Sequence, residues 1–141
     1  MRNNKICVIG LGYVGLPLAF NLSKHFELIG FDSSKKRILD LKDNVDQTNE
    51  IKTSELKKAK ISFTYETKDI QECNIYIVTV PTPINSKNNP QITSLISVTK
   101  MIASHLKNND LIIYESTVFP GCTEEILIPL IEKISKKKLN K

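Results

Sequence analysis

At 141 residues the chain has room for one domain with a hydrophobic core, and for no second domain. With 40% hydrophobic and 25% charged residues its composition is that of an ordinary globular protein, which excludes disorder and low complexity. The net charge of +5 gathers in the tail "KISKKKLNK" (133–141), read as a solvated helix end, and no aromatic interleaving or reader motif points to nucleic acid.

The chain opens on a basic start, "MRNNK", followed by "ICVIGLGYVGLPLAF" (6–20), which carries no charge. A secretion signal would need a small-residue cleavage site after such a run, yet "NLSKHFELIGFD" follows. A membrane span needs about 18 or more apolar residues, and this run stops short with three glycines inside it. Read instead as a strand, "KICVIG" (5–10), a turn, and a helix, "LPLAFNLSK" (16–24), the run makes sense. Pro17 then falls in the first helical turn, where its missing N–H forfeits nothing. Gly10, Gly12 and Gly15 form G-x-G-x-x-G between that strand and that helix. Gly10 allows the tight turn, Gly12 lets the backbone approach a pyrophosphate, and Gly15 permits close helix–strand packing. The phosphates would sit at the helix N-terminus, where unpaired N–H groups and the dipole favour them.

A second strand, "FELIGFD" (26–32), ends on Asp32, at the place where an acid meets the adenosine ribose hydroxyls of a dinucleotide. A carboxylate there accepts from the 2′-OH of NAD and repels the 2′-phosphate of NADP, so NAD is the expected cofactor. Arg37 nearby leaves a route to that phosphate open, and Asp32 also reads as an N-cap. "SSKKRILDLKD" (33–43) is the next helix, capped by serine and burying Ile38 and Leu41.

The polar stretch 44–59 reads as a surface connection. "KISFTYE" (60–66) is a weaker, alternating strand and "IYIVTVP" (75–81) a buried one. The segment "TPINSKNNPQ" (82–91) is a second surface loop. "TSLISVTKMIASHLK" (93–107) is a helix, "DLIIYEST" (110–117) a strand, and "TEEILIPLIEKISKK" (123–137) a last helix. Thr123 is placed to cap it, Glu124 and Glu125 suit its first turn, and Pro129 is expected to kink it. Strands and helices alternating in this way give a Rossmann-type, doubly wound α/β sheet, mainly parallel, with helices on both faces.

Three cysteines without CxxC spacing, Cys7, Cys73 and Cys122, and two histidines, His25 and His105, make a disulfide framework or metal site unexpected and fit a reducing cytoplasm. Both histidines fall on helices as surface residues. Ser116 has no histidine beside it in the pattern, so a Ser-His arrangement is not expected. Cys7 and Cys73 read as packing residues. Cys122, at a helix start that favours a lowered thiol pKa, still reads as structural.

With "GLGYVGLP", "VTVPTP" (78–83) and "YESTVFPGCTEE" (114–125) in this order, the chain resembles the UDP-glucose/GDP-mannose dehydrogenase family, most nearly its branch acting on UDP-N-acetylhexosamines for surface polysaccharides. The resemblance covers essentially all of residues 1–141, as that family's N-terminal NAD-binding domain alone. It implies an NAD-dependent enzyme that oxidises the C6 alcohol of a UDP-sugar to a carboxylate in two hydride transfers, the second from an aldehyde captured by a thiol. It also implies that Tyr13 and Val14 contact the pyrophosphate through their backbone. Asp32 would hold the ribose with Arg37 at the family's nearby basic position, Thr82 would line the cofactor, and Thr117 would sit by the nicotinamide and order a catalytic water. The family's catalytic cysteine, its lysine and asparagine, the central helix that carries its homodimer contacts and the sugar-binding domain lie beyond this chain. The expectation is therefore a domain fragment that binds NAD without turnover. Two rivals are a stand-alone NAD-sensing regulatory module of a potassium transport system, which has no need of the threonine–proline segments, and a small-molecule methyltransferase, which fits the three glycines less well.

Overall fold

The chain is described here by a computed structural model over residues 4–139; the first three residues of the basic start and the last two of the lysine tail lie outside the described residues. Five strands form one parallel sheet: β1 (Ile6–Ile9), β2 (Leu28–Phe31), β3 (Ile61–Thr64), β4 (Ile75–Val78) and β5 (Leu111–Tyr114). They stand in the order β3-β2-β1-β4-β5. Chain direction across the sheet therefore reverses between β1 and β4, the place where open α/β sheets bind ligands beyond their strand ends. The expected α/β architecture is the one observed.

The strands are cut level. Ile9 is paired with Phe31 and Val78, Phe31 with Thr64, and Val78 with Tyr114. One residue further, the amides of Gly10, Asp32, Thr79 and Glu115 still bond to the neighbouring strand, so these four residues end flush along one rim. That rim is the floor of the site described below.

Alternation along β1 divides the core. Ile6 and Val8 face one side, where they pack with Leu16 and Ala19 of α1 (Gly15–Leu22), Ile38 and Leu41 of α2 (Lys35–Lys42) and Leu56 of α3 (Thr53–Leu56). Cys7 and Ile9 face the other, against Leu95 and Ile102 of α4 (Thr93–Ala103), Cys122 and Leu127. Every strand of a sheet covered on both faces must be apolar at successive positions, which is why β1 and β4 read as uninterrupted runs. Ser34 caps α2 by accepting from the Arg37 amide at 3.2 Å, as the sequence indicates. Asp32 is not that cap.

Several local expectations are corrected. The connection 44–59 contains the short helix α3, whose Leu56 is buried in the same core cluster as Leu28 and Ile38. The last helix is two segments, a π-helical turn at Cys122–Leu127 and α5 at Ile128–Ser135. Proline has no N–H to give to a carbonyl four residues back and its ring crowds that carbonyl, so the regular ladder restarts with Pro129 in the first turn of α5 instead of kinking around it. Gly121, left-handed at φ 87°, starts the turn, and no side chain, Thr123 included, caps it. His105 lies just past α4, half-buried with its ring edge-on to Tyr76 at 5.7 Å. Burial lowers its pKa. His25 is exposed, in the turn after α1.

Candidate dinucleotide site

The glycine turn owes its shape to close backbone contacts. Gly10 is left-handed at φ 93°. A side chain on Gly15 would put its first carbon 1.7 Å from the Gly10 carbonyl oxygen and 2.4 Å from Thr79 Oγ1, so only glycine lets α1 start this close to β1. The Thr79 hydroxyl, nearly buried at the end of β4, lies 3.0 Å from the Ile9 carbonyl and 2.7 Å from that of Gly10, pinning the turn to the neighbouring strand. Gly12 is different. A Cβ there would meet nothing within 4 Å, so no contact inside the chain calls for glycine at this position. It opens instead on a cleft.

That cleft, about 1060 Å³, runs along the rim of strand ends and is large enough for an extended ligand. Gly10, Gly12, Tyr13 and Val14 line one part, Asp32 and Tyr65 another, and Thr82 and Thr117 a third. Tyr13 and Val14 are well exposed. No side chain caps the first turn of α1 beside these residues; the Leu16 amide is given to the Gly12 carbonyl at 3.2 Å.

The Asp32 carboxylate is already oriented. Its Oδ2 accepts from the Leu11 amide and its Oδ1 from the Ser34 amide, both at 2.9 Å. A carboxylate oxygen has a second lone pair, so both can still accept from a sugar hydroxyl in the cleft. Across the rim, Thr82 Oγ1 donates to the Thr117 carbonyl and Ser116 Oγ to that of Val80 at 2.7 Å. These bonds tie the loop after β4 to the loop after β5. The second of them occupies the Ser116 hydroxyl.

Of the residues expected at the site, Gly10, Gly12, Tyr13, Val14, Asp32, Thr82 and Thr117 line one cleft. Gly15 lies beneath it as packing. Arg37 is not in the lining: its guanidinium turns to Asp46, 2.9 Å away. The three thiols are buried, Cys7 and Cys122 completely and Cys73 nearly so. Burial and the adjoining Glu124 push the Cys122 thiol up, against the lowering expected at a helix start. Among the described residues no group of histidines, cysteines and acids is placed to hold a metal, and no helix is long and apolar enough to cross a membrane.

Sequence reasoning missed Thr79, hidden inside "TVPTP", and the cleft face of α4. Thr93, Ser97 and Met101 line the cleft at intervals of four residues while Leu95 and Ile102 point into the core. The small, polar Thr93 and Ser97 on one face of that helix were the available signal.

The profile of the UDP-glucose/GDP-mannose dehydrogenase family, NAD binding domain, matches residues 4–141. The chain is 46% identical over 141 residues to a UDP-N-acetyl-D-glucosamine 6-dehydrogenase of Pseudomonas aeruginosa, covering 99% of this chain and 33% of that protein. It is 48% identical over 137 residues to the enzyme of that name from Salmonella typhi, covering 96% and 32%. Among solved structures, a UDP-D-ManNAc dehydrogenase from Pyrococcus horikoshii superposes with a TM-score of 0.90 at 27% identity, over 96% of this chain and 34% of its own. The chain thus spans about a third of the length of these relatives.

Proposed function

The chain belongs to the UDP-glucose/GDP-mannose dehydrogenase family, as its NAD-binding domain, and from that premise we propose that it is the cofactor-holding third of an enzyme that oxidises the C6 alcohol of a UDP-N-acetylhexosamine to the uronate. The observation that carries the reading is the open Gly12 above an uncapped helix start, with Asp32 fixed one strand away. These residues fit NAD. Gly12, Tyr13 and Val14 would hold its diphosphate, where the helix start and its dipole favour negative charge. Asp32 would accept from its ribose hydroxyls. When bound, NAD supplies the hydride acceptor. Thr82 and Thr117, which line another part of the same cleft, would take its nicotinamide half. Thr117, exposed on the loop after β5, is the residue of this chain that faces the substrate and orders water there.

The second oxidation calls for a nucleophile, and none of the chain's three buried thiols lines the cleft. The chain by itself binds NAD and does not turn over; the remaining two thirds of the family's length supply the thiol, the sugar contacts and the dimer interface. The relatives give the sensor alternative no support. The test is a titration of the purified 141-residue chain with NADH, followed by incubation with NAD and UDP-N-acetylglucosamine. Saturable NADH binding without NADH production is expected. Absence of binding overturns the cofactor reading, and measurable sugar oxidation overturns the division of labour.

A further inference from the structure

The segment after β2 holds the ingredients of a phosphate site: Ser33, Ser34, Lys35, Lys36 and Arg37 follow Asp32 directly. Each cation has a partner. Lys35 Nζ stands over the Tyr65 ring at 5.5 Å, and Lys36 pairs with Asp40 at 2.9 Å on an open face, with its own side chain 72% exposed. Exposed pairs of that kind are weak and leave the lysine available.

Arg37 is held differently. Its Nε donates to the Leu11 carbonyl at 2.9 Å, its second terminal nitrogen reaches Thr48 Oγ1 at 3.4 Å, and the first lies 2.9 Å from Asp46 Oδ1. Asp46, its side chain 1% exposed, also accepts from the Thr48 hydroxyl and from the Thr48, Glu50 and Ile51 amides at 2.7 to 3.0 Å. A buried carboxylate with this many donors is a fixed anion, and a guanidinium paired to it in low dielectric does not leave easily. Leu11 joins the two halves of the site: its amide goes to Asp32 and its carbonyl to Arg37. The guanidinium is therefore one residue's span from the carboxylate that faces the ribose.

We propose that Asp46 is a specificity-determining residue, which sets the choice of NAD over NADP by holding Arg37 away from the ribose 2′ position. The proposal rests on the cofactor reading of the cleft. A 2′-phosphate entering beside Asp32 meets a carboxylate and finds the strongest nearby phosphate ligand already neutralised. Removing the Asp46 charge frees the fork of the guanidinium to swing out to that phosphate, while the one amide oxygen of an asparagine can still accept from the Glu50 and Ile51 amides and gives up the bond from the Thr48 amide.

Titrations of the 141-residue chain with NADH and with NADPH test this. Asp46→Asn is expected to tighten NADPH and to lower the ratio of NADPH to NADH dissociation constants by about tenfold. Adding Arg37→Gln to it should return that ratio to the unaltered chain's value. A role confined to holding the loop would weaken both cofactors together and leave the ratio where it was. Thr48→Val, which removes one hydrogen-bond partner each from the guanidinium and from the Asp46 carboxylate but keeps the charge, should move the ratio the same way by a smaller factor, and it serves if Asp46→Asn does not fold. An unchanged ratio in a folded variant overturns the proposal, as does a lowered ratio that survives Arg37→Gln. If the unaltered chain binds NADH and only the variants fail to shift, this inference falls and the cofactor reading stands; if the unaltered chain binds neither, both fall.

Discussion

Gly12 and Gly15 are three positions apart and identical in type, yet the structure gives them opposite roles. Gly15 is required by the chain itself, because a methyl group there collides with the Gly10 carbonyl oxygen. Gly15→Ala is expected to destabilise the fold by about 3 kcal/mol or more, since the contact is with backbone that cannot step aside. Gly12 is required by nothing inside the chain. Gly12→Ala should leave stability within about 0.5 kcal/mol, while weakening NADH about tenfold or more by filling the space a diphosphate needs. Urea unfolding beside NADH titration of both variants checks the contrast. Equal loss of stability in the two would remove the evidence that Gly12 faces a ligand. All three glycines and Asp32 were legible in the sequence, because a turn between strand and helix leaves so few residue types that fit. Thr79 was not. Its hydroxyl matters through two carbonyls some 70 positions away, a closeness that no local pattern shows.

At the scale of elements, the connection between α2 and β3 is ordered by one buried anion. Burial alone would raise the Asp46 carboxyl, but hydrogen bonds from Thr48 and Ile51, with Arg37 beside them, outweigh it and hold it at about 2. A folded pKa depressed from 3.8 means that the stabilisation is whole above about pH 4 and is lost as pH falls through about 2. The contribution at neutral pH is about 2 kcal/mol. Urea unfolding of the unaltered chain and of Asp46→Asn between pH 2 and 7 should show a stability gap of about that size at neutral pH. The gap should close by about pH 2, and one that stays constant with pH would assign the effect to packing. None of this was legible, because the sequence of 44–59 is mostly polar, with its few apolar residues widely spaced, and an anion saturated by loop amides leaves no periodic trace. The π turn escaped for a related reason: Pro129 announces a break in a helix but does not say whether the chain answers with a kink or a wider turn.

Across the whole molecule, strand order and register do the work that sequence motifs only imply. Buried strands show as apolar runs, so the parallel sheet and its two helical layers could be read in advance. The level ending of the strands could not, and it is this that brings Gly12, Asp32, Thr82 and Thr117 to one cleft from four separate stretches of chain. The most direct measurement is a two-dimensional amide NMR titration of the 141-residue chain with NADH. Shifts confined to Gly10–Gly15, Asp32–Ser34 and the loops around Thr82 and Thr117 are predicted, with the amides of Gly12 and Tyr13 moving most. Saturating binding that leaves those amides in place and perturbs another face, or no binding at all, would contradict the account.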